Sequence, residues 1–357
     1  MTVASTKTGL GTSQWLIDDA VSRLRIWGDH KIFAIPADAD ITIGSSERCR
    51  ISLHDPSGQI SRQHARIVRE RGALVIRDLG SKNGMRVDGA RRGEIALEAG
   101  MEIGIGGVTL VAESARFVAL RAFVARIIGW SDARLEALDL ALRAVRAAAA
   151  HRAPLILAGE GDLVPIARAL HGRALGPAKA FVQCDPRRRR TDATVRAAEN
   201  YALGMPAFIA ASGGSLCLRG RRLPSDFAEV RAASQDPQHR VQLIICTHDS
   251  NDAARCSGTA IEIPPLSTRR AELDRIIHEY GADAVVAVSA KAPFTRKDLE
   301  WVRQHSSSSL PDIEKGTLRL VALREGASIA RAASMLGMSH VALAEWIGRR
   351  RVPGRRS

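Results

Sequence analysis

The residues best equipped for chemistry lie in two short stretches, ISRQHARI (Ile60–Ile67) and RDLGSKNGMRVDG (Arg77–Gly89). The first carries Ser-Arg-x-His and the second Ser-x-Asn-Gly, each beside a strand-like run. A phosphate dianion needs converging donors, best supplied by guanidinium, hydroxyl and backbone N–H groups. The two loops therefore either grip a phosphorylated ligand or serve only as the scaffold of a small β domain.

Elements must exist to hold such loops. From about Arg25 to Glu113 short alternating runs appear at Lys31–Ile35, Ile41–Ile43, Ala65–Val68, Ala73–Arg77, Glu94–Leu97 and Val108–Val111. Gly, Asp, Pro and Ser separate them, which predicts an all-β sandwich or barrel. Residues 114–129 read as a helical or linking stretch. From about Trp130 to Ala290 the pattern changes. Leu135–Ala150 is an Ala-rich helix, and apolar strands then alternate with helices through PLILAG, Ile166–Leu170, AFVQC, AFIAA, SLCL and VQLIICT. That alternation implies a parallel sheet with crossover helices. Ser306–Ser309 marks a break or hinge, and the chain beyond Pro311 is helical and basic.

The chain has 357 residues, enough for two or three domains. An apolar fraction of 45% supports packed cores and argues against disorder as a class. The net charge of +14 favours an anionic partner, nucleic acid first and an acidic membrane surface second. Solubility alone is the plainer explanation. The five cysteines, Cys49, Cys184, Cys217, Cys246 and Cys256, show no metal-ligand spacing and read as free thiols in a reducing cytoplasm. No apolar run approaches the ~20 residues of a membrane span, and the N-terminus lacks a signal pattern. A cytoplasmic protein without a metal or cofactor is expected.

Residues 41–89 resemble a forkhead-associated (FHA) domain, an eleven-strand sandwich that binds phosphothreonine peptides through loops at one end. The resemblance rests on Ile43-Gly44, Ser61-Arg62-x-His64-Ala65 and Ser81-x-Asn83-Gly84 in order. It implies that Ser61 contacts phosphate and that Asn83 binds the peptide backbone. Lys82 adds charge, while His64 and Gly84 hold loop geometry. The family's phosphate-binding arginine follows the glycine of Ile-Gly; here that position is Ser45, so bidentate binding is lost there. Arg48, Arg50 or Arg62 is left to reach in.

LILAGEGDLVPIARALHG (Leu155–Gly172) resembles the nucleotide loop of sigma-54-dependent activators, a family of AAA+ ATPases. AFVQCD, GGSLCLRGRRLPSDFAEVRAA, VQLIICTHDS and IEIPPLSTRRAELDRII follow in that family's order. The catalytic groups are absent. A phosphate loop requires Gly-x-x-x-x-Gly-Lys-Ser/Thr, but Gly159-Glu160-Gly161-Asp162 runs into Leu163-Val164-Pro165. Arg219-Gly220 aligns with the Asp-Glu pair that would hold Mg²⁺. The resemblance thus implies a pseudo-ATPase without a cofactor, used structurally, for protein contacts or for oligomerisation. Arg187–Arg190 reads as a solvated basic loop, or else as a nucleic-acid or acidic-partner patch.

Ser328–Arg351 has helix-turn-helix spacing and resembles the Fis-type unit of the same activators. Ile329, Ala332 and Ala333 face inward, Leu336-Gly337-Met338 turn, and Ser339 caps a second helix whose Leu343 and Trp346 pack back onto the first. The resemblance puts Ser339, His340, Val341 and Ala344 in a DNA major groove, and Arg349, Arg350, Arg351, Arg355 and Arg356 on phosphates. A dimerising bundle with a basic tail is the alternative.

The expected architecture is an FHA sandwich at 25–113, a linker at 114–129, a degenerate AAA+ core at 130–265, a lid-like helical segment at 266–310 and a Fis-type helix-turn-helix with basic tail at 311–357. The expected function is a non-enzymatic, DNA-binding transcriptional regulator that forms a homo-dimer. Its expected partners are DNA, a Thr-phosphorylated protein or Ser/Thr kinase, and RNA polymerase, with no membrane. The rivals are a phosphopeptide adaptor that does not act on DNA and an active sigma-54 activator.

Overall fold

The computed structural model describes residues 20–350 apart from 152, 237 and 249–258. Arg351, Arg355, Arg356 and Cys256 lie outside the described residues. The described chain divides into two compact units, one of residues 20–125 with 130–146, the other of 126–129 with 147–350.

The first unit is a β-sandwich. Its six-stranded sheet has the order β2 (Ile32–Ala34), β1 (Val21–Ile26), β11 (Val108–Ser114), β10 (Glu102–Ile105), β7 (Met85–Val87) and β8 (Ala90–Arg92). Its five-stranded sheet has the order β4 (Ile51–Ser52), β3 (Asp40–Gly44), β5 (Ala65–Glu70), β6 (Ala73–Asp78) and β9 (Glu94–Ala96). Alternate residues of both sheets turn inward, and Leu24, Ile41, Ile43, Ile67, Ile76, Met85, Ile103 and Leu110 are fully buried together. Register decides which loops meet. Ile43 pairs with Ala65, and Ala65 with Asp78, so the residues after β3, before β5 and after β6 gather at one end. A slip of one residue would turn this set of side chains to the other face.

The stretch 114–129 is helix α1 (Ala115–Ile128), and Phe117, Leu120, Phe123 and Val124 on it are buried. It is a packed element, not an open linker, because its apolar residues recur at helical spacing. Helix α2 (Leu135–His151) sends Asp139 to Arg25, which is fully buried on β1 between Asp139 and Glu113.

The second unit contains a fully parallel sheet of order β14 (Glu199–Tyr201), β13 (Phe181–Cys184), β15 (Ser215–Arg219), β16 (Gln242–Thr247), β12 (Leu155–Ala158) and β17 (Thr259–Glu262). Helices α3 (Val164–Ala174), α4 (Gly204–Ala210) and α5 (Phe227–Gln235) accompany it. AFIAA falls mainly in α4. A short apolar run has no period that separates strand from helix. Here Asp226 accepts hydrogen bonds from the Gly204 and Met205 amides at 3.0 and 2.8 Å and so caps the helix from a distance.

Five helices complete the unit in the described part: α6 (Leu273–Ala287), α7 (Arg296–His305), α8 (Leu310–Gly326), α9 (Ile329–Leu336) and α10 (His340–Arg350). Ser306–Ser309 is a break between packed helices. Ser309 caps α8 through the Asp312 amide at 3.3 Å, and Ser306 is buried against Gly316. No described helix is long and apolar enough to cross a membrane.

Candidate functional site

The strongest site geometry lies at the loop end of the sandwich. Gly44 ends β3 at a place where a Cβ would stand 2.2 Å from the Arg62 carbonyl oxygen, so no other residue fits there. That close approach lets the Ser45 and Ser46 amides donate to the Ser61 and Arg62 carbonyls at 3.1 and 3.2 Å. The β3–β4 and β4–β5 loops are thereby tied together, and the Ser45 and Ser46 amides are already occupied.

His64 ties in the third loop. Its imidazole is fully buried; Nδ1 accepts from the Ser61 amide at 3.2 Å and Nε2 lies 3.1 Å from the Gly84 carbonyl. An amide can only donate and a carbonyl only accept, so the proton sits on Nε2. Ser61 Oγ accepts from the Lys82 amide at 3.1 Å, which leaves its O–H free to turn outward. Asn83 Nδ2 donates to the Gln59 carbonyl at 2.9 Å, leaving its second N–H and its oxygen for a ligand.

Two aspartates shape the same end, and the sequence reading passed over both. Asp78 accepts from the Gly80 and Ser81 amides at 3.1 Å each and from Ser81 Oγ at 2.5 Å. Ser81 Oγ in turn accepts from the Gly84 amide at 3.0 Å. Asp55 accepts from the Ser57, Gln59 and Ile60 amides, and hydrogen bonding from the Ser57 hydroxyl foremost holds its carboxyl below the usual range. Asp followed two residues later by its own amide donor is an Asx-turn pattern, so Asp78-x-Gly80 and Asp55-x-Ser57 were the available signals.

The structure joins Ser61, Lys82 and Asn83 through these bonds. Arg62 stands on the same loop as Ser61, and Arg48 on the β3–β4 loop; both are exposed, as is Lys82. Among the described residues none of these three cations has a carboxylate partner within ion-pair distance. The arrangement offers a hydroxyl, an amide side chain and unneutralised positive charge around one rim, a donor set suited to a phosphate group.

The family model of the FHA domain matches residues 41–106. Residues 41–106 are an FHA domain. Solved structures similar to this part include Mycobacterium tuberculosis EmbR in complex with a low-affinity phosphopeptide, at 28% identity and a TM-score of 0.25, covering 28% of this chain and 27% of that one. The FHA domain of the CT664 protein from Chlamydia trachomatis is 28% identical with a TM-score of 0.24, covering 26% of this chain and 95% of that one. A structure described for phosphothreonine-dependent FHA domain interactions is 24% identical with a TM-score of 0.24, covering 26% of this chain and 94% of that one. No curated protein matches the chain.

Outside the FHA domain, two further regions hold expected site residues. In the helical region, Gly337 ends α9 in the left-handed conformation at φ 63°, and Ser339 Oγ accepts from the Ala342 amide at 3.2 Å. Leu343, Trp346 and Ile347 are buried, whereas Ser339, His340, Val341 and Ala344 are exposed along one side of α10. Arg349 is exposed and leans back on Glu345 at 3.6 Å. Arg350 departs from its expected place on phosphate. It is half-buried and paired with Asp312 at 2.8 Å and with the His305 carbonyl, because the last turn of α10 passes over the start of α8.

In the parallel-sheet domain, Arg219 Nη2 pairs with Asp162 Oδ1 at 2.9 Å. The same arginine lies 3.5 Å from the buried Asp185. Asp162 also accepts from the Val164 amide at 3.4 Å, closing the start of α3 with a carboxylate. Among the described residues no cluster of three or more His, Cys, Asp or Glu side chains is arranged to hold a metal ion.

Proposed function

We propose that the chain is a non-catalytic, DNA-binding transcriptional regulator whose FHA domain reads a phosphothreonine-bearing partner. The observation that carries the input half is the His64 junction. It orients Ser61 and the Lys82–Asn83 turn together while Arg48, Arg62 and Lys82 stay unneutralised. The phosphorylated partner is a Ser/Thr kinase or one of its substrates.

The output half is supported by the exposed, capped start of α10. Ser339, His340, Val341 and Ala344 are exposed there, a mixed polar and apolar set suited to base edges and thymine methyl groups. Arg349 supplies phosphate contact, and binding as a homo-dimer to paired half-sites fits such a helix. The parallel-sheet domain is read as a AAA+-like core that does not hydrolyse ATP. Its Arg219–Asp162 pair stands where a nucleotide loop and a metal carboxylate would be needed.

The test uses full-length protein in two arms. Phosphothreonine peptides are expected to bind and their unphosphorylated forms not to bind. Genomic DNA fragments are expected to be recovered selectively by the wild type and not by a Val341→Glu, Arg349→Ala variant. A phosphopeptide library that never binds refutes the input half. Fragment recovery unchanged by the variant refutes the output half.

A further inference from the structure

We infer that the loop end of the FHA domain also selects an acidic side chain beside the phosphothreonine, and that Arg91, backed by Arg86, reads it. The inference rests on the reading of the rim as a phosphopeptide site and adds the class of partner segment that the site takes.

The placement follows from strand register. Met85 opens β7 and pairs with Arg92, the last residue of β8, so the open end of the β7–β8 hairpin lies at the loop end of the sandwich. Met85 and Val87 are buried in the core, and Arg86 between them is exposed. Directly paired residues share a face of the sheet, so Arg91, paired with Arg86, stands on the same outer face. From there its guanidinium reaches back to Gly84. A Cβ at residue 84 would meet Arg91 Nε at 2.7 Å and Nη2 at 3.0 Å. Gly84 also holds φ at 72°, so the position demands glycine for two reasons. The bare backbone lets the guanidinium lie one residue from Asn83, whose oxygen and second N–H are left for a ligand.

The charge of this hairpin is uncompensated. Its carboxylates are engaged elsewhere: Asp88 with Arg146 at 2.8 Å, and Glu94, just after β8, with Arg77 at 2.6 Å. Arg86 donates to the Gly89 carbonyl at 3.4 Å. Among the described residues Arg86, Arg91 and Arg92 have no carboxylate within ion-pair distance, and all three are exposed. Like charges directly opposite each other destabilise a sheet, so the fold gains nothing from Arg86 facing Arg91. A carboxylate laid against the pair would remove that repulsion and match a guanidinium fork.

On the phosphopeptide reading, the phosphate group is taken by Ser61 and the loop cations Arg48, Arg62 and Lys82. What meets Arg91 is then a neighbouring side chain. An extended peptide rises about 3.3 Å per residue, so a chain held by its backbone at Asn83 carries residues one to three places from the phosphothreonine past Arg91. Asp and Glu are the side chains that present a planar, acceptor-only anion there.

The test is fluorescence anisotropy with full-length protein and labelled peptides built on the tightest binder from a phosphothreonine library. The three residues on either side of the phosphothreonine are made Glu-rich, Gln-rich or Lys-rich, and a fourth peptide is the Glu-rich one without phosphate. The wild type is expected to bind the Glu-rich phosphopeptide about 5- to 10-fold more tightly than the Gln-rich one, the range of one or two solvent-accessible charge pairs. Arg91→Ala is expected to reduce that preference below about twofold and to leave the Gln-rich affinity unchanged, with Arg86→Ala falling between. Arg91→Glu is expected to invert the preference toward the Lys-rich phosphopeptide, which a loss of fold cannot produce. Equal affinity of the wild type for the Glu-rich and Gln-rich phosphopeptides, or a preference untouched by Arg91→Ala and Arg91→Glu, overturns this inference and leaves the phosphopeptide site standing. A library without any binder, or equal binding of the Glu-rich peptide without its phosphate, overturns the reading of the rim itself and this inference with it.

Discussion

Replacing His64 by alanine separates a structural pin from a ligand contact. The substitution removes the acceptor of the Ser61 amide and the donor to the Gly84 carbonyl. An ordinary hydrogen bond contributes about 0.5–1.5 kcal/mol net, and a buried partner left unsatisfied costs about 1–3 kcal/mol. Gly84 is buried, so its carbonyl takes a large share of that cost. Ser61 is half-buried and its amide reaches water more easily. The sum is about 3 kcal/mol of local stability, or a factor of roughly 150 in the opening equilibrium. Amide hydrogen exchange read by mass spectrometry on the full-length chain follows segments 60–65 and 80–85 directly. Their protection is expected to fall by that factor, and phosphothreonine-peptide binding to fall with it. His64→Gln, which keeps a donor but loses the imidazole acceptor, is expected to recover about half of the loss. Ser61→Ala is the counterpart: binding is lost while protection falls only at Lys82, whose amide loses its acceptor, and stays close to wild type in the rest of both segments. If His64→Ala abolished binding but changed protection less than about threefold, His64 would be a ligand contact, and the junction argument would fail.

Three further outcomes follow from the buried charges. Asp139→Asn leaves the fully buried Arg25 one carboxylate short, and the sandwich unit is expected to lose about 3–5 kcal/mol in denaturant unfolding; a loss below about 1 kcal/mol would refute the pairing. Arg350→Ala is expected to cost the helical bundle about 1–2 kcal/mol while leaving the salt dependence of DNA binding unchanged, whereas Arg349→Ala is expected to lower that dependence; the reverse pattern would return Arg350 to the DNA face. Burial pushes the His171 imidazole below its ordinary value of 6.5, with Ser215 Oγ and the Lys179 carbonyl as its neighbours. A depressed pKa means that the unfolded state takes up the proton first, so this contribution is intact above pH 6.5 and lost as pH falls through the folded value. The stability difference between wild type and a non-titrating His171→Gln variant should therefore shrink between pH 7.5 and pH 5, and a constant difference would refute it.

The sandwich was legible where side chains alternate cleanly. Ile41–Ile43 and Ala65–Ile67 show the period of two that one buried face imposes. Strand β1 was hidden because Arg25, on the face opposite the core residue Leu24, is itself buried against Glu113 and Asp139, and a charge at a buried position breaks the apolar pattern. Its partner Asp139 lies 114 residues away, and no local pattern encodes such a contact. Strands β4, β7 and β8 are two or three residues long, too short to show any period. At the site, Ser61, Asn83 and the supporting role of His64 were readable because the types and their spacing survive in one short stretch. The aspartates that shape the loops were not, since Asp in a turn looks the same whether or not its carboxylate is engaged.

Arginine shows most plainly what spacing leaves out. The run Arg349–Arg351 reads as one basic patch, yet Arg350 turns inward to Asp312 while Arg349 stays at the surface. Arg25 and Arg126 are likewise consumed within the fold, the latter by Glu279 and Asp283. Net charge counts all of these equally, although a paired and buried guanidinium contributes little to attracting a polyanion. What matters for recognition is which cations keep a free face beside a shaped surface. On that criterion the +14 of the chain narrows to places such as the FHA rim, where Arg48, Arg62 and Lys82 are exposed. The rim presents its charge beside fixed hydrogen-bonding groups, and that combination, more than the excess of arginine, is what lets a surface prefer phosphate to any other anion.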